Sequence, residues 1–293
     1  MQIKKAVFPV AGLGTNFLPA TKASPKEMMP IVDMPLIQYA VNEAVAAGIT
    51  ELIFVTNNRK HAIENHFDSD FELEARLIEC GKFELLQLVH DILPSGVTCA
   101  YIRQKSPLGL GDAILCAKQF VGNEPFAVLL ADDLIENDGK SCLQQMLDVF
   151  EKNHSSIVAV QKVEQKDATK YGIVDAVDRN NKVSLIRGII EKPSLENAPS
   201  DLAVVGRYIL TPEIFTLLEQ TSKGLHEEIQ ITDAIAKLLL EQSVFSLQFQ
   251  GKRFDCGTKL GYVKATVAYA LKHPEVAQDF RQVLQKYIVC SFS

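Results

Sequence analysis

Two hydrophobic rhythms alternate along the first half of the chain. Short, nearly uninterrupted apolar runs occur at 6–10 (AVFPV), 51–56 (ELIFVT), 97–103 (VTCAYIR) and 126–133 (FAVLLADD). Runs of this length, rich in branched and aromatic residues, predict strands buried on both faces. Between the first two, Ile37, Val41, Ala44 and Val45 recur at helical spacing, and the segment closes at Gly48, a helix stop. GDAILCAKQF (111–120) predicts a second helix lying between strands. Residues 70–93 read as an added helical excursion. Repeated strand–loop–helix–strand units predict an α/β fold with a mostly parallel, doubly covered, Rossmann-like sheet.

After residue 155 the rhythm changes. SIVAVQKV, YGIVDAV, KVSLIRGIIEKP and LAVVGRYILT are strand-like and separated by polar turns such as DRNNK at 178–182. Antiparallel strands continuing or flanking the first sheet are expected here. IQITDAIAKLLLEQ (229–242) has an amphipathic helical pattern, with Asp233 early, where a carboxylate suits the helix dipole. A strand pair at 244–255 and a helical tail from about 258 follow. No repeat, low-complexity tract or linker interrupts the chain. One domain over 1–293 is expected, with halves at 1–155 and 156–257 and a tail at 258–293.

Composition narrows the function classes. The net charge of −6 over 293 residues argues against non-specific nucleic-acid binding, which needs a basic surface. Small phosphorylated ligands stay open, because a local lysine cluster can oppose the global sign. Six cysteines are scattered without a C-x-x-C pair, the pattern of reduced thiols in a cytoplasm. No apolar run approaches the roughly 18 residues needed to span a membrane. MQIKKAVFPVAG (1–12) starts with charge and continues apolar, but its apolar stretch is too short for a signal peptide and reads as a first strand. A cytoplasmic protein that binds neither nucleic acid nor membrane is expected.

The first strand runs into a glycine loop, G-L-G-T-N-F (12–17). A dinucleotide fingerprint would need a third glycine at Phe17, and a P-loop would need G-x-x-x-x-G-K-[ST]; neither is present. What remains is G-x-G-T followed by P-A-T-K-A-S-P-K-E. This resembles the signature of the sugar nucleotidyltransferases, G-x-G-T-R-x-x-P-x-T-x-x-x-P-K, with Asn16 at the arginine position. PKEMMPIVDMPLIQYAV, RQKSPLGLGDAILCA, LLADD, YGIV, EKP, LAVVGRYILTPEIF, EEIQITDAI and DCGTKLGY follow in the family's order. Over essentially residues 3 to 272 the chain resembles the family's bacterial uridylyl-transferring pyrophosphorylases.

The resemblance implies a mixed sheet of the sugar nucleotidyltransferase type, with a nucleotide-binding first half and a sugar-binding second half. It implies UTP and glucose 1-phosphate as substrates, UDP-glucose and pyrophosphate as products, Mg²⁺ as cofactor, and a homodimer or homotetramer. The sugar phosphate would attack the α-phosphorus directly, so no enzyme nucleophile is required and the demand is electrostatic. Asp132 ends a strand at the carboxyl edge of the sheet, where open α/β folds bind ligands. By resemblance it is a metal ligand, with Asp255 as the second; the alternative for Asp132 and Asp133 is a turn or cap, and for Asp133 alone that is the better reading. Lys26 matches the lysine at the nucleotide phosphates, Lys192 the lysine at the sugar phosphate, and Glu191 the carboxylate receiving glucose hydroxyls. A surface ion pair is the alternative for Glu191 and Lys192. Uracil would be met by backbone at Ala11 and Gly12 and by the Gln104 amide, with Gly109 allowing close approach and Gly14 and Thr15 completing the loop. A thymine methyl would be discriminated by only about 1–3 kcal/mol. Gly172 and Gly206 match glycines of the sugar pocket.

Two positions depart from the family pattern. Asn16 stands where an arginine faces the β- and γ-phosphates, keeping hydrogen bonding but losing charge and fork. Asp112 stands where relatives more often carry histidine. Asn16 implies reduced activity, and two alternatives stay open: a catalytically weak regulator of an active partner, or transfer to another sugar phosphate or from dTTP.

Overall fold

The computed structural model describes residues 2–224 and 227–291. In chain order, β1 (Lys5–Pro9), a hairpin of β2 (Pro30–Ile31) and β3 (Met34–Pro35), α1 (Leu36–Ala46) and β4 (Glu51–Thr56) come first. The helices α2 (His61–Phe67), α3 (Phe71–Glu79) and α4 (Phe83–His90) form the expected excursion before β5 (Thr98–Arg103). Next come α5 (Leu110–Cys116), α6 (Lys118–Val121), β6 (Phe126–Leu129), β7 (Asp133–Glu136), α7 (Cys142–Asn153) and β8 (Ser156–Lys162). The second half holds β9 (Gly172–Ala176), β10 (Val183–Glu191), β11 (Leu202–Leu210), α8 (Glu213–Glu219) and α9 (Ile231–Leu238). Finally β12 (Val244–Gln248), β13 (Lys252–Asp255), α10 (Lys259–Ala270) and α11 (Ala277–Ser291) complete the chain.

Nine strands make one mixed sheet in the order β5-β4-β1-β6-β11-β8-β12-β10-β9. Strands β5, β4, β1 and β6 are parallel, whereas β11 runs antiparallel between β6 and β8. The period-2 alternation of each buried strand divides it between two cores. On β1, Ala6 and Phe8 face the cluster covered by α1, α2 and α7, while Val7 faces the cluster under α5, α8 and α9. Phe8 and Phe54 are fully buried and stacked at 5.0 Å; burying each such side chain contributes about 1.5–3 kcal/mol. Ser141 and Gln144 form a capping box that starts α7. Among the described residues no helix is long and apolar enough to cross a membrane.

Four elements differ from the sequence reading. The run 126–133 does not form one strand: β6 ends at Leu129, a turn follows, and Asp133 opens β7. The helix at 111–120 breaks at Ala117 into α5 and α6, and the helix at 229–242 shortens to α9. The strands of 244–255 do not pair with each other. Strand β12 lies between β8 and β10, while β13 joins β7 in a separate two-stranded sheet.

The break after β6 has a visible cause. Arg207 of β11 is fully buried and donates all five of its guanidinium N–H groups. Two go to Glu43 Oε2 on α1 at 2.8 and 2.9 Å, and one each to the carbonyls of Leu130, Gly206 and Asp133. Pulling the Leu130 and Asp133 carbonyls onto one side chain turns the chain out of the sheet. The other Glu43 oxygen accepts from the Leu143 amide at the start of α7.

A buried pair broken on one side leaves an uncompensated charge. Glu43→Ala should therefore cost about 3–5 kcal/mol of stability in urea unfolding. The double variant Glu43→Leu/Arg207→Met should recover a large part of the loss.

Candidate active site

Three loops converge at the carboxyl edge of the sheet: the glycine loop after β1, the turn between β6 and β7, and the loop after β13. Lys26 Nζ donates to Asp132 Oδ2 at 2.5 Å. Asp132 Oδ2 and Asp255 Oδ1 lie 3.1 and 3.0 Å from where a Cβ on Gly257 would stand. Both carboxylates thus face one point. Asp132 also accepts on its carbonyl oxygen from Cys256 N at 2.8 Å, tying the two loops together. Asn16 Nδ2 spans the same gap, donating to the Gly257 carbonyl at 3.2 Å. Gly14 adopts a left-handed φ of 68°, and a Cβ there would press on Lys26 Cβ at 3.3 Å, so the loop lies directly against the lysine.

Burial disfavours the Lys26 charge, but the Asp132 carboxylate, with Glu27 beyond it, raises its pKa above the ordinary lysine value. Burial likewise disfavours the Asp132 charge, yet the Lys26 ammonium holds it below the usual carboxylate range. Behind this pair sits a second, more deeply buried one, Lys60 Nζ to Glu27 Oε2 at 2.6 Å. There burial dominates, pushing the Glu27 carboxyl up and the Lys60 ammonium down.

Asp133 plays a different part from its neighbour. It accepts from Arg253 Nε at 2.5 Å and from Gly206 N at 2.6 Å, with both side chains of the ion pair under 10% exposed. A Cβ on Gly206 would meet Leu130 Cβ at 2.6 Å, so this glycine lets β11 lie under the turn. Arg253 also stacks over the Tyr171 ring at 5.0 Å.

On the glycine-loop side, Ala11, Gly12, Thr15, Gln104 and Gly109 line one cleft of about 380 Å³. A neighbouring cleft of about 500 Å³ shares Ala11 and Gln104 and adds Arg59, Arg103 and Lys105, a basic rim against the negative net charge. The Ala11 carbonyl accepts from Asn57 Nδ2 at 2.5 Å. Gly109, at φ +95°, approaches Glu228 so closely that a Cβ would stand 2.7 Å from the Glu228 Cβ. A larger cleft, about 730 Å³, opens beside α7, and none of the candidate residues lines it.

On the other side, Glu191 ends β10 and Lys192 follows it. Glu191 Oε2 accepts from Thr232 Oγ1 at 3.0 Å, and burial pushes its carboxyl up. A Cβ on Gly172 would stand 2.8 Å from Thr232 Cγ2 and 3.2 Å from Glu191 Oε2, so there is no room for a side chain at 172. Lys192 sits at φ 42°, an uncommon conformation for a residue with a Cβ. Its ammonium is 3.9 Å from Glu191 Oε1 and 40% exposed, a loose pair open to an anion. Tyr171 joins the groups, because its hydroxyl donates to Asp255 Oδ2 at 3.1 Å while its carbonyl accepts from Lys192 N at 3.0 Å.

Asp132 and Asp255 are the residues that could hold a metal. Among the described residues no cluster of three or more His, Cys, Asp or Glu is built for one. Two carboxylates with only oxygen donors suit Mg²⁺, which typically takes one or two carboxylates and completes its shell with water and substrate phosphates. Sequence reasoning missed Glu27, Lys60, Tyr171, Arg253 and Thr232. Arg253 was discoverable, since it shares a strand face with Asp255 at period 2. A glutamate within the otherwise apolar EMMPI was a second signal.

Comparison with known proteins bears on the family and the fold. The family model described as nucleotidyl transferase matches residues 5–272. The chain is 49% identical over 285 residues to a UTP–glucose-1-phosphate uridylyltransferase of Staphylococcus epidermidis, covering 97% of this chain and 98% of the relative. A UTP-bound UDP-glucose pyrophosphorylase from Acinetobacter baumannii superposes with a TM-score of 0.91 at 46% identity, covering 97% and 99% of the two chains. A UDP-glucose pyrophosphorylase complexed with UDP-glucose superposes with a TM-score of 0.86 at 45% identity, covering 93% and 100%.

The two adjacent aspartates should separate in unfolding experiments. Asp133→Ala leaves Arg253 buried and unpaired and should cost about 3–5 kcal/mol. Asp132→Asn, at a more open pair, should cost less than about 1 kcal/mol. Urea denaturation of both variants checks the contrast, and similar losses would contradict it.

Proposed function

The chain belongs to the nucleotidyl transferase family, and we propose that it transfers a uridylyl group from UTP to glucose 1-phosphate, giving UDP-glucose and pyrophosphate. One observation carries this reading. The Lys26–Asp132 pair and Asp255 face one point beside Gly257, with the Gln104 cleft on one flank and Glu191–Lys192 on the other. A nucleotide, its phosphates and a sugar phosphate can occupy these three places in order.

The reaction is a direct in-line displacement. A glucose 1-phosphate oxygen forms a bond to the α-phosphorus of UTP as the bond from that phosphorus to the bridging oxygen breaks, and pyrophosphate leaves. The chain's residues supply alignment and positive charge. Lys192, held in its unusual backbone conformation and exposed, receives the sugar phosphate. Glu191 and Thr232, beside side-chain-free Gly172, receive the hydroxyls of the ring. Lys26 serves the nucleotide phosphates, swinging away from Asp132 as they arrive. Asp132 and Asp255 would hold Mg²⁺, whose charge would neutralise the phosphates. Tyr171 and Arg253 keep Asp255 and its loop in position.

A pyrophosphate-release assay with a panel of nucleotides and sugar phosphates tests the reading. UTP with glucose 1-phosphate should be the preferred pair. Lys192→Ala should raise KM for glucose 1-phosphate about tenfold or more, the scale of a lost charge-assisted contact, while leaving KM for UTP nearly unchanged. An equal effect on both substrates would remove Lys192 from the sugar side.

Asn16 already reaches from the glycine loop toward the metal-side loop. Charge grows on departing pyrophosphate, so a cation there helps the transition state more than the ground state. Asn16→Arg should raise kcat/KM for UTP about tenfold, less than the effect of one well-aimed donor because Lys26 already contributes. No gain would mean the position does not face the leaving group. If both proteins fail to turn over while UDP-glucose still binds, the chain is a regulator.

A further inference from the structure

Asp112 has no part in the mechanism above, but its contacts are specific. It lies in the first turn of α5, and its Oδ2 accepts from Gln104 Nε2 at 2.7 Å. The same Nε2 donates its other hydrogen to the Gly109 carbonyl at 3.2 Å. Both amide protons of Gln104 are therefore engaged on one side. A carboxylate and a carbonyl can only accept, so a flipped amide would set oxygen against oxygen at both contacts. Oε1 must point the opposite way. Among the described residues no donor reaches it, and Gln104 lines both clefts beside Ala11 and Pro107.

The frame around this amide is rigid. The Gln104 backbone N–H donates to the Thr56 carbonyl at 2.9 Å. The start of α5 is pinned to the 228–229 segment, with Gly111 N donating to Ile229 O at 2.8 Å and Ile229 N to Leu108 O at 2.7 Å. The Gly109 carbonyl also accepts from the Ala113 N–H within α5 at 3.2 Å, which fixes its direction. The carboxylate, the carbonyl and the amide between them are thus preorganised.

We propose that Asp112 is a positioning residue that sets base selectivity by locking the Gln104 amide with its oxygen toward the base. This rests on reading that cleft as the base site. A fixed acceptor there accepts the ring N–H of an imide base such as uracil. It opposes the ring nitrogen lone pair that cytosine presents at the same place. Leaving a buried polar group opposed or unpaired is what makes such a site selective. Asparagine at 112 could offer either its oxygen or its amide, so Gln104 could then adopt both orientations.

The test is the ratio of kcat/KM for UTP to that for CTP, with glucose 1-phosphate as acceptor. Asp112→Asn should lower this ratio about tenfold or more, the scale of one hydrogen bond at a buried site. KM for glucose 1-phosphate should stay within about twofold. Asp112→Glu, which keeps an acceptor-only group, should retain most of the selectivity. Gln104→Ala should also lower the ratio, and adding Asp112→Asn to it should change nothing further, because the second residue acts through the first. Should Asp112→Asn fail to fold, Asp112→Ser removes the acceptor-only character and gives the same comparison. An unchanged ratio in a folded Asp112→Asn or Asp112→Ser protein overturns the inference, as does an equal further loss in the Gln104→Ala background. An unchanged ratio in Gln104→Ala alone overturns the base-site reading beneath it.

Discussion

The rest of the site depends on one buried guanidinium. Arg207 holds Glu43 of α1, and through it the start of α7, while gathering the carbonyls of Leu130, Gly206 and Asp133. A charge with no access to water is tolerable only when every donor is satisfied. Only arginine offers five N–H groups in a rigid planar fork that can do this. The consequence is geometric: the chain leaves the sheet after Leu129, so Asp132 stands in a turn instead of pointing into a core.

Around that turn, charge is graded by access to solvent. Glu27–Lys60 and Asp133–Arg253 are buried and act as framework. Lys26–Asp132, the pair that borders the converging loops, is partly open, with about a quarter of each side chain exposed. An ion pair of this kind can exchange partners when an anion or a metal arrives, whereas the buried pairs cannot without leaving a bare charge behind. Tyr171 adds a link in the same spirit, connecting Asp255 to the backbone of Lys192, so these two groups share one support.

Much of this was legible in advance, for identifiable reasons. Buried parallel strands are apolar on both faces, so β1, β4 and the start of β6 announced themselves. The glycine loop, Lys26, Asp132, Asp255 and Lys192 were found by motif, and the structure gathers the first four around Gly257 and the glycine loop, with Lys192 joined through Tyr171. The two neighbouring aspartates were separated only in outline, with Asp133 read as the structural one and no partner named for it. Residue type and position are nearly identical for Asp132 and Asp133, and what separates them is Arg253, 120 residues away in sequence. Strands β12 and β13 were read as a pair because they are adjacent, but β12 found room between β8 and β10 and β13 found β7.

Spacing along the chain governs what lies within a few residues. It therefore determined the helical and strand periods and the glycine loop that follows the first strand. It says nothing about which distant segments meet, since that follows from strand order and from what can be buried together. Lys26 meets Asp132 across 106 residues, Tyr171 meets Asp255 across 84, and Asn16 meets Gly257 across 241. Those meetings follow from the strand order, which brings the glycine loop after β1, the turn between β6 and β7 and the loop after β13 together. Which way Gln104 turns its amide was decided in the same manner, by a carboxylate and a carbonyl that only the folded chain brings to one side of it.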